Sequence, residues 1–206
     1  MNTLFEYLKK NYKYDEPIFL CDLEIKGLSD NNLRQQIKHL TDAGYLLNYT
    51  TGIYCFKYEG EPNIDTTKII ESKYIYRNHN HFGYYSGLTF LNQIGISNQV
   101  PNTKEIVSNN SQAIVKSIKI NDTKLIVRKP RVKINNSNVY LLPYLESLVA
   151  LDNYDDNDIQ TSNFLLKKYA IKHNITKEHA NKYIEKFPNK IYKTIYLRGE
   201  KNVFAY

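Results

Sequence analysis

Apolar residues open the chain at helical spacing, with Leu4, Phe5, Leu8 and Tyr12 on one stripe. A polar break then leads through Pro17 to the short run Ile18-Phe19-Leu20, which fits a brief strand or the start of a second helix. Gly27-Leu28-Ser29 interrupts the chain again. Ser29 or Asp30 can cap the next helix, because either side-chain oxygen can accept an orphan backbone N–H. From about 30 to 43 the apolar positions Leu33, Ile37 and Leu40 repeat on one face, and Gly44 suits a left-handed helix stop. Tyr45 to Leu47 and Ile53 to Phe56 read as two strands around a turn at 48–52. Helix, helix, longer helix and β-hairpin is the order of a winged helix-turn-helix, expected over residues 1–60.

Glu59-Gly60-Glu61-Pro62-Asn63 is polar, holds Gly and Pro, and reads as a linker. A second domain is expected over 61–206. Its pattern predicts a helix at about 85–94 and strands at 103–108, 114–120, 123–127 and 139–142, with Asn121-Asp122 as a hairpin turn. Periodicity leaves 69–76 open between strand and helix. Helices come next at about 143–152, 157–173, 176–186 and 188–198. No internal repeat is visible. The expected class is therefore α+β: an N-terminal winged helix-turn-helix and a larger mixed α/β C-terminal domain ending in helices.

Composition narrows this little. A hydrophobic share of 42% over 206 residues suffices for a core and argues against wholesale disorder. The 19 tyrosines accompany many Asn, Lys and Ile, a bias that an AT-rich genome explains. No apolar run reaches membrane-spanning length and the first residues lack the pattern of a secretory signal. Two cysteines, Cys21 and Cys55, make no disulfide framework. A cytoplasmic protein without a membrane partner is the expectation.

Charge changes the picture more. The net is +7, yet residues 1–60 hold 7 basic and 8 acidic side chains, whereas 61–206 hold 21 and 13. Any positive field for nucleic acid lies mainly outside the head. The third helix nonetheless carries side chains that can read base edges. Opposite its apolar stripe stand Asn31, Gln35, Lys38 and His39, flanked by Asn32 and Arg34. Arg pairs with guanine, and Asn or Gln with adenine. Tyr49, Thr50 and Thr51 at the wing tip offer hydroxyls for phosphate, and Lys57 a point charge. The densest basic cluster, Lys124, Arg128, Lys129, Arg131 and Lys133, can supply phosphate contacts or form a solvated loop.

Other constellations are weaker. His79-Asn80-His81 lacks the further ligands of a metal site and reads as a polar turn. The acidic stretch 152–158 lacks the central Gly and terminal Glu of a calcium loop; it reads as a solvated loop with Asn157 or Asp158 capping the next helix. Neither a catalytic triad nor a cofactor is expected. Glu105, Asp122 and Lys124 faintly resemble a nuclease's acid–acid–lysine set, the least favoured reading.

Residues 84–108 carry a more specific likeness. The Ser86-Gly87 start, an apolar helix, Ile94-Gly95-Ile96-Ser97-Asn98-Gln99-Val100-Pro101 and a following strand resemble the central signature of the AbiEi family. These are antitoxins of bacterial abortive-infection, type IV toxin–antitoxin systems. Leu33-Arg34-Gln35-Gln36-Ile37-Lys38-His39-Leu40 and Gly52-Ile53-Tyr54 look like the family's recognition helix and wing, and the likeness extends to a final segment from Tyr192 to Phe204. The resemblance implies a non-enzymatic protein whose head binds inverted repeats in its own promoter. It also implies a nucleotidyltransferase toxin as functional partner, without a stable complex between the two. A stand-alone winged-helix regulator is the alternative.

Overall fold

The computed structural model describes residues 3–14, 16–57 and 65–205. The expected linker at 59–63 lies outside these. The chain forms two compact units, Met1–Ile69 and Ile70–Tyr206.

In the first unit, α1 (Thr3–Asn11) is followed by β1 (Ile18–Phe19), a 3-10 turn (Leu20–Asp22), α2 (Asp30–Asp42), β2 (Leu46–Thr50) and β3 (Ile53–Phe56). The strands form an antiparallel sheet in the order β1-β3-β2. The middle helix of the expected three is thus reduced to one 3-10 turn. Ile18 and Phe19, the first apolar residues after Pro17, pair with β3 as a strand, and the helical turn begins only at Leu20.

α2 conforms closely to its sequence pattern. Ser29 Oγ accepts the Asn32 N–H at 3.4 Å, and Leu33, Ile37 and Leu40 are buried. Gly44 closes the helix at φ +77°, while the Tyr45 N–H reaches back to the Leu40 carbonyl at 2.9 Å. Each buried Leu or Ile contributes roughly 1.5–3 kcal/mol, so the stripe outweighs the cap in holding this helix. Its partners are Leu4 and Leu8 of α1 with Ile18, Leu46 and Phe56 of the sheet. The opposite face of the sheet is covered as well. Phe19, Ile53 and Cys55 pack with Ile69, which belongs to α3 (Thr66–Tyr74). Residues 69–74, left open by periodicity, are therefore helical. Alternation along β3 sends Ile53 and Cys55 to one side and Phe56 to the other.

The second unit continues with β4 (Tyr76–Arg77), β5 (Asn80–His81), β6 (Gly83–Tyr85), α4 (Gly87–Gln93), β7 (Thr103–Ser108), β8 (Val115–Ile120) and β9 (Thr123–Arg128). β4 and β5 form a two-residue hairpin at Asn78-His79, both with positive φ, as such turns require. The other strands make a sheet in the order β6-β7-β9-β8, in which β7 and β9 run parallel. The β8–β9 hairpin turns at Asn121-Asp122, as the sequence predicts. At Gly83 a β-carbon would stand 1.8 Å from the Tyr74 carbonyl oxygen, so only glycine fits there.

Helices complete the unit: α5 (Leu141–Tyr154), α6 (Ile159–Lys172), α7 (Lys177–Asn181), a 3-10 turn (Ile184–Lys186), α8 (Lys190–Arg198) and α9 (Glu200–Val203). The strand expected at 139–142 is absent; Leu141 and Leu142 begin α5 instead. This helix buries most of its circumference, including Leu142, Leu145, Leu148 and Leu151, and so lacks the polar stripe that would have revealed it. The Tyr144 hydroxyl bonds to the Val203 carbonyl, and Lys167 Nζ holds the Phe204 and Ala205 carbonyls at 2.6 and 2.9 Å. The final segment is thereby tied to the unit's core. Among the described residues no helix is long and apolar enough to cross a membrane.

Candidate nucleic-acid interface

Asn31, Asn32, Arg34, Gln35, Lys38 and His39 all lie exposed on α2. At 100° per residue, Asn31, Gln35 and Lys38 form one row opposite Leu33 and Leu40, with Arg34 on one flank and Asn32 and His39 on the other. None of these six side chains has a hydrogen bond or ion pair among the described residues. Their polar groups are solvated and available. Asp30 faces solvent in the first turn, where it complements the helix dipole.

The β2–β3 hairpin differs from the wing expected from the sequence. Asn48 to Thr50 belong to β2, and the turn itself is only Thr51-Gly52. The register shifts between Asn48 and Thr50, leaving Tyr49 at a bulge. Tyr49 is half-buried and its hydroxyl lies 3.0 Å from Thr66 Oγ1. That hydroxyl is engaged internally. Thr50 is half-buried, while Thr51 and Lys57 are exposed.

The basic segment divides in two. Lys124, Lys129, Arg131 and Lys133 are exposed. Arg128 is not part of that surface. Its Nη2 donates to Ser86 Oγ at 2.6 Å and to Glu146 Oε2 at 3.3 Å, and lies 3.9 Å from Glu105 Oε2. Glu146 is 11% exposed, and burial raises its carboxyl above the usual range, while the Arg128 charge and the Ser86 hydroxyl hold it back. Burial and then the Glu146 charge push the neighbouring Tyr84 phenol well up. Gly87, at φ +56°, brings its backbone so close that a β-carbon would sit 2.5 Å from Glu105 Oε1. The Ser86-Gly87 pair is therefore shaped around this charge cluster.

The loop after α4 is latched by the acidic stretch. Asp156 Oδ2 accepts from Ser97 Oγ at 2.6 Å and from the Asn98 N–H at 3.0 Å, and Asp156 Oδ1 accepts from Gln99 Nε2 at 3.1 Å. Asn157 Nδ2 bonds to the Ile96 carbonyl at 2.8 Å. Asp155 meets Arg198 at 2.7 Å, and Asp158 caps α6 through the Gln160 and Thr161 amides. These residues are more than a solvated loop. Hydrogen bonds from Ser97, Gln99 and Asn98 depress the Asp156 carboxyl. Its contribution is therefore present above the unfolded aspartate value of about 3.9 and lost as pH falls through the lower, folded value. In Asp156→Ala the Asn98 amide should exchange with solvent faster than in the parent near neutral pH. The gap should narrow in acid. Equal exchange rates near neutral pH would refute the latch.

Among the described residues no cluster of three or more His, Cys, Asp or Glu side chains has the arrangement of a metal site. His79 is in the hairpin turn, whereas the His81 ring lies 4.5 Å from Tyr76, tilted by 41°. Asp122 stands fully exposed and pairs with Lys119 at 3.3 Å, while Glu105 faces Arg128.

No protein-family model matches the chain, and no curated protein matches it in sequence.

Proposed function

We propose that this protein is a sequence-specific DNA-binding repressor of its own promoter and the antitoxin of an AbiEi-like type IV toxin–antitoxin pair. The observation that carries the reading is the exposed α2 face, whose six base-reading side chains have no internal partner among the described residues, on a helix followed directly by an antiparallel hairpin. We read the first unit as a winged helix-turn-helix with a shortened middle helix and α2 as its recognition helix. The antitoxin role rests on the resemblance of residues 84–108. Its partner would be a nucleotidyltransferase toxin that it opposes without stable association.

A promoter–reporter fusion and co-expression with a neighbouring nucleotidyltransferase test the two halves separately. Reporter repression and rescued growth are the expected results. Repression without rescue would leave the second reading, a stand-alone regulator. A nuclease finds less support, because Asp122 pairs with Lys119 and Glu105 faces Arg128.

Phosphate contact falls to Lys129, Arg131 and Lys133, since Arg128 is committed internally. Replacing these three with Ala should flatten the slope of log affinity against log salt by about 2 to 3, given roughly 0.9 per lost phosphate contact. Sequence preference should persist. An unchanged slope would remove the segment from the interface.

A further inference from the structure

The second unit contains a cavity of about 500 Å³ bounded by residues of β6, α4, the start of α5 and α6. This is within the range of roughly 300–1,000 Å³ typical of small-molecule sites. Its walls are unusually aromatic. Tyr85, Phe90, Tyr140, Tyr169 and His173 all line it. Tyr140 and His173 stack at 4.2 Å with 21° between planes, His173 lies 4.4 Å from Tyr169, and Phe90 meets Tyr169 edge-on at 5.3 Å.

Charge in this cavity has one sign. Lys168 and Lys172 line it from α6, and no acidic residue does among the described residues. Both lysines are exposed, and neither has an ion pair among the described residues. Two like charges four positions apart on a helix repel each other, and nothing on their own helix face offsets this. Burial lowers the affinity of His173 for a proton, and Lys172 lowers it further. The positive charge is thus confined to the lysines, and the imidazole joins the aromatic wall. His81, another lining residue, has a buried Nδ1 without a hydrogen-bond partner among the described residues.

An aromatic wall recognises a planar ring by stacking, and paired ammonium groups recognise a phosphate. From this juxtaposition we infer that the cavity binds a nucleoside monophosphate unit, its base against the Tyr140/Tyr169/His173 wall and its phosphate at Lys168 and Lys172. The unit can be a free nucleotide or the unpaired, 5′-phosphorylated end of a strand. This site is separate from the α2 face and does not rest on its reading of DNA.

Equilibrium dialysis of the full chain with AMP, CMP, GMP and UMP tests this, with adenosine, inorganic phosphate and a 5′-phosphorylated tetranucleotide as further arms. At least one mononucleotide should bind with a Kd between about 1 μM and 1 mM. Adenosine and phosphate alone should each bind at least about tenfold more weakly, since each makes only half of the contacts. Lys168→Ala with Lys172→Ala should weaken nucleotide binding by about tenfold or more and spare adenosine. Tyr140→Ala, at an exposed ring, should weaken both. Stronger binding of the tetranucleotide would identify a strand end as the source; equal or weaker binding would identify the free nucleotide. Absence of binding by every nucleotide up to about 5 mM, or binding that neither variant alters, would overturn the inference.

Discussion

Arg128→Met should destabilise the protein by about 2–3 kcal/mol, less than the roughly 3–5 kcal/mol lost when one partner of a fully buried ion pair is removed, because the Arg128 side chain is 28% exposed. Arg128 faces two carboxylates, of which Glu146 is 11% exposed. Met has a similar length and cannot donate to either. Glu146 would then stay largely buried with the Ser86 hydroxyl and the Arg131 charge left to favour its charged form. The loss should depend on pH. The Glu146 carboxyl is raised above its unfolded value even beside Arg128, so its contribution is full below the unfolded glutamate value of about 4.3 and declines as pH rises through the folded value. Without the guanidinium the folded value climbs further. Urea unfolding should thus show a deficit that is larger at about pH 8 and shrinks toward acid, as protonation of Glu146 removes its unpaired charge. Adding Glu146→Gln should recover part of the deficit at the higher pH. A loss that does not change with pH, or within the ±0.5 kcal/mol or so of ordinary surface changes, would mean that the cluster is not a coupled charge site.

This result also separates structure from binding. In the sequence, Arg128 is one of several cations in a row, and nothing in Lys-Leu-Ile-Val-Arg-Lys-Pro-Arg marks it out. Its partners lie 18 and 42 positions away, at Glu146 and Ser86, and only the folded sheet and α5 bring them together. Charge clusters are visible in a sequence; which member turns inward is not. The same limit holds for the acidic stretch 152–158, where Asp158 is legible as a cap but the reach of Asp156 to Ser97 is not.

Elements with a strong contrast between faces are legible. α2, its Ser29 cap and its Gly44 stop emerge from local spacing. So does the β8–β9 hairpin. Elements without such contrast are not. Val139-Tyr140-Leu141-Leu142 is a continuous apolar run that fits a buried strand as well as the start of a helix buried on nearly every side. Tyr49 misleads differently: its hydroxyl suits a wing tip, but a β-bulge and Thr66 engage it. The aromatic cavity has a faint signal in Lys168-Tyr169 and Lys172-His173, repeated four residues apart on α6, which the abundance of tyrosine conceals.

The other large effect concerns DNA. Arg34→Ala and Gln35→Ala should each weaken specific binding by about 1–3 kcal/mol, or roughly 5- to 150-fold, as expected for a lost bidentate base contact. The two residues are adjacent, so the double variant should lose more than either single change without a strict sum. Both side chains are exposed and lack internal partners among the described residues, so folding should be unaffected. Non-specific binding should change far less, because it depends on phosphate contacts. Tyr49→Phe provides the contrast: its hydroxyl is engaged with Thr66, and operator affinity should remain that of the parent. If the α2 variants bind as the parent does while Tyr49→Phe fails, the wing rather than α2 reads the site.

Footprinting on the DNA upstream of its own gene tests most directly the proposed recognition of a DNA sequence through α2. Parent protein should protect a discrete pair of inverted repeats. The Arg34→Ala/Gln35→Ala variant, with an unchanged unfolding midpoint, should leave both repeats open to cleavage at the same concentration. Uniform, sequence-blind protection by the parent, or an identical footprint from the variant, would contradict the account.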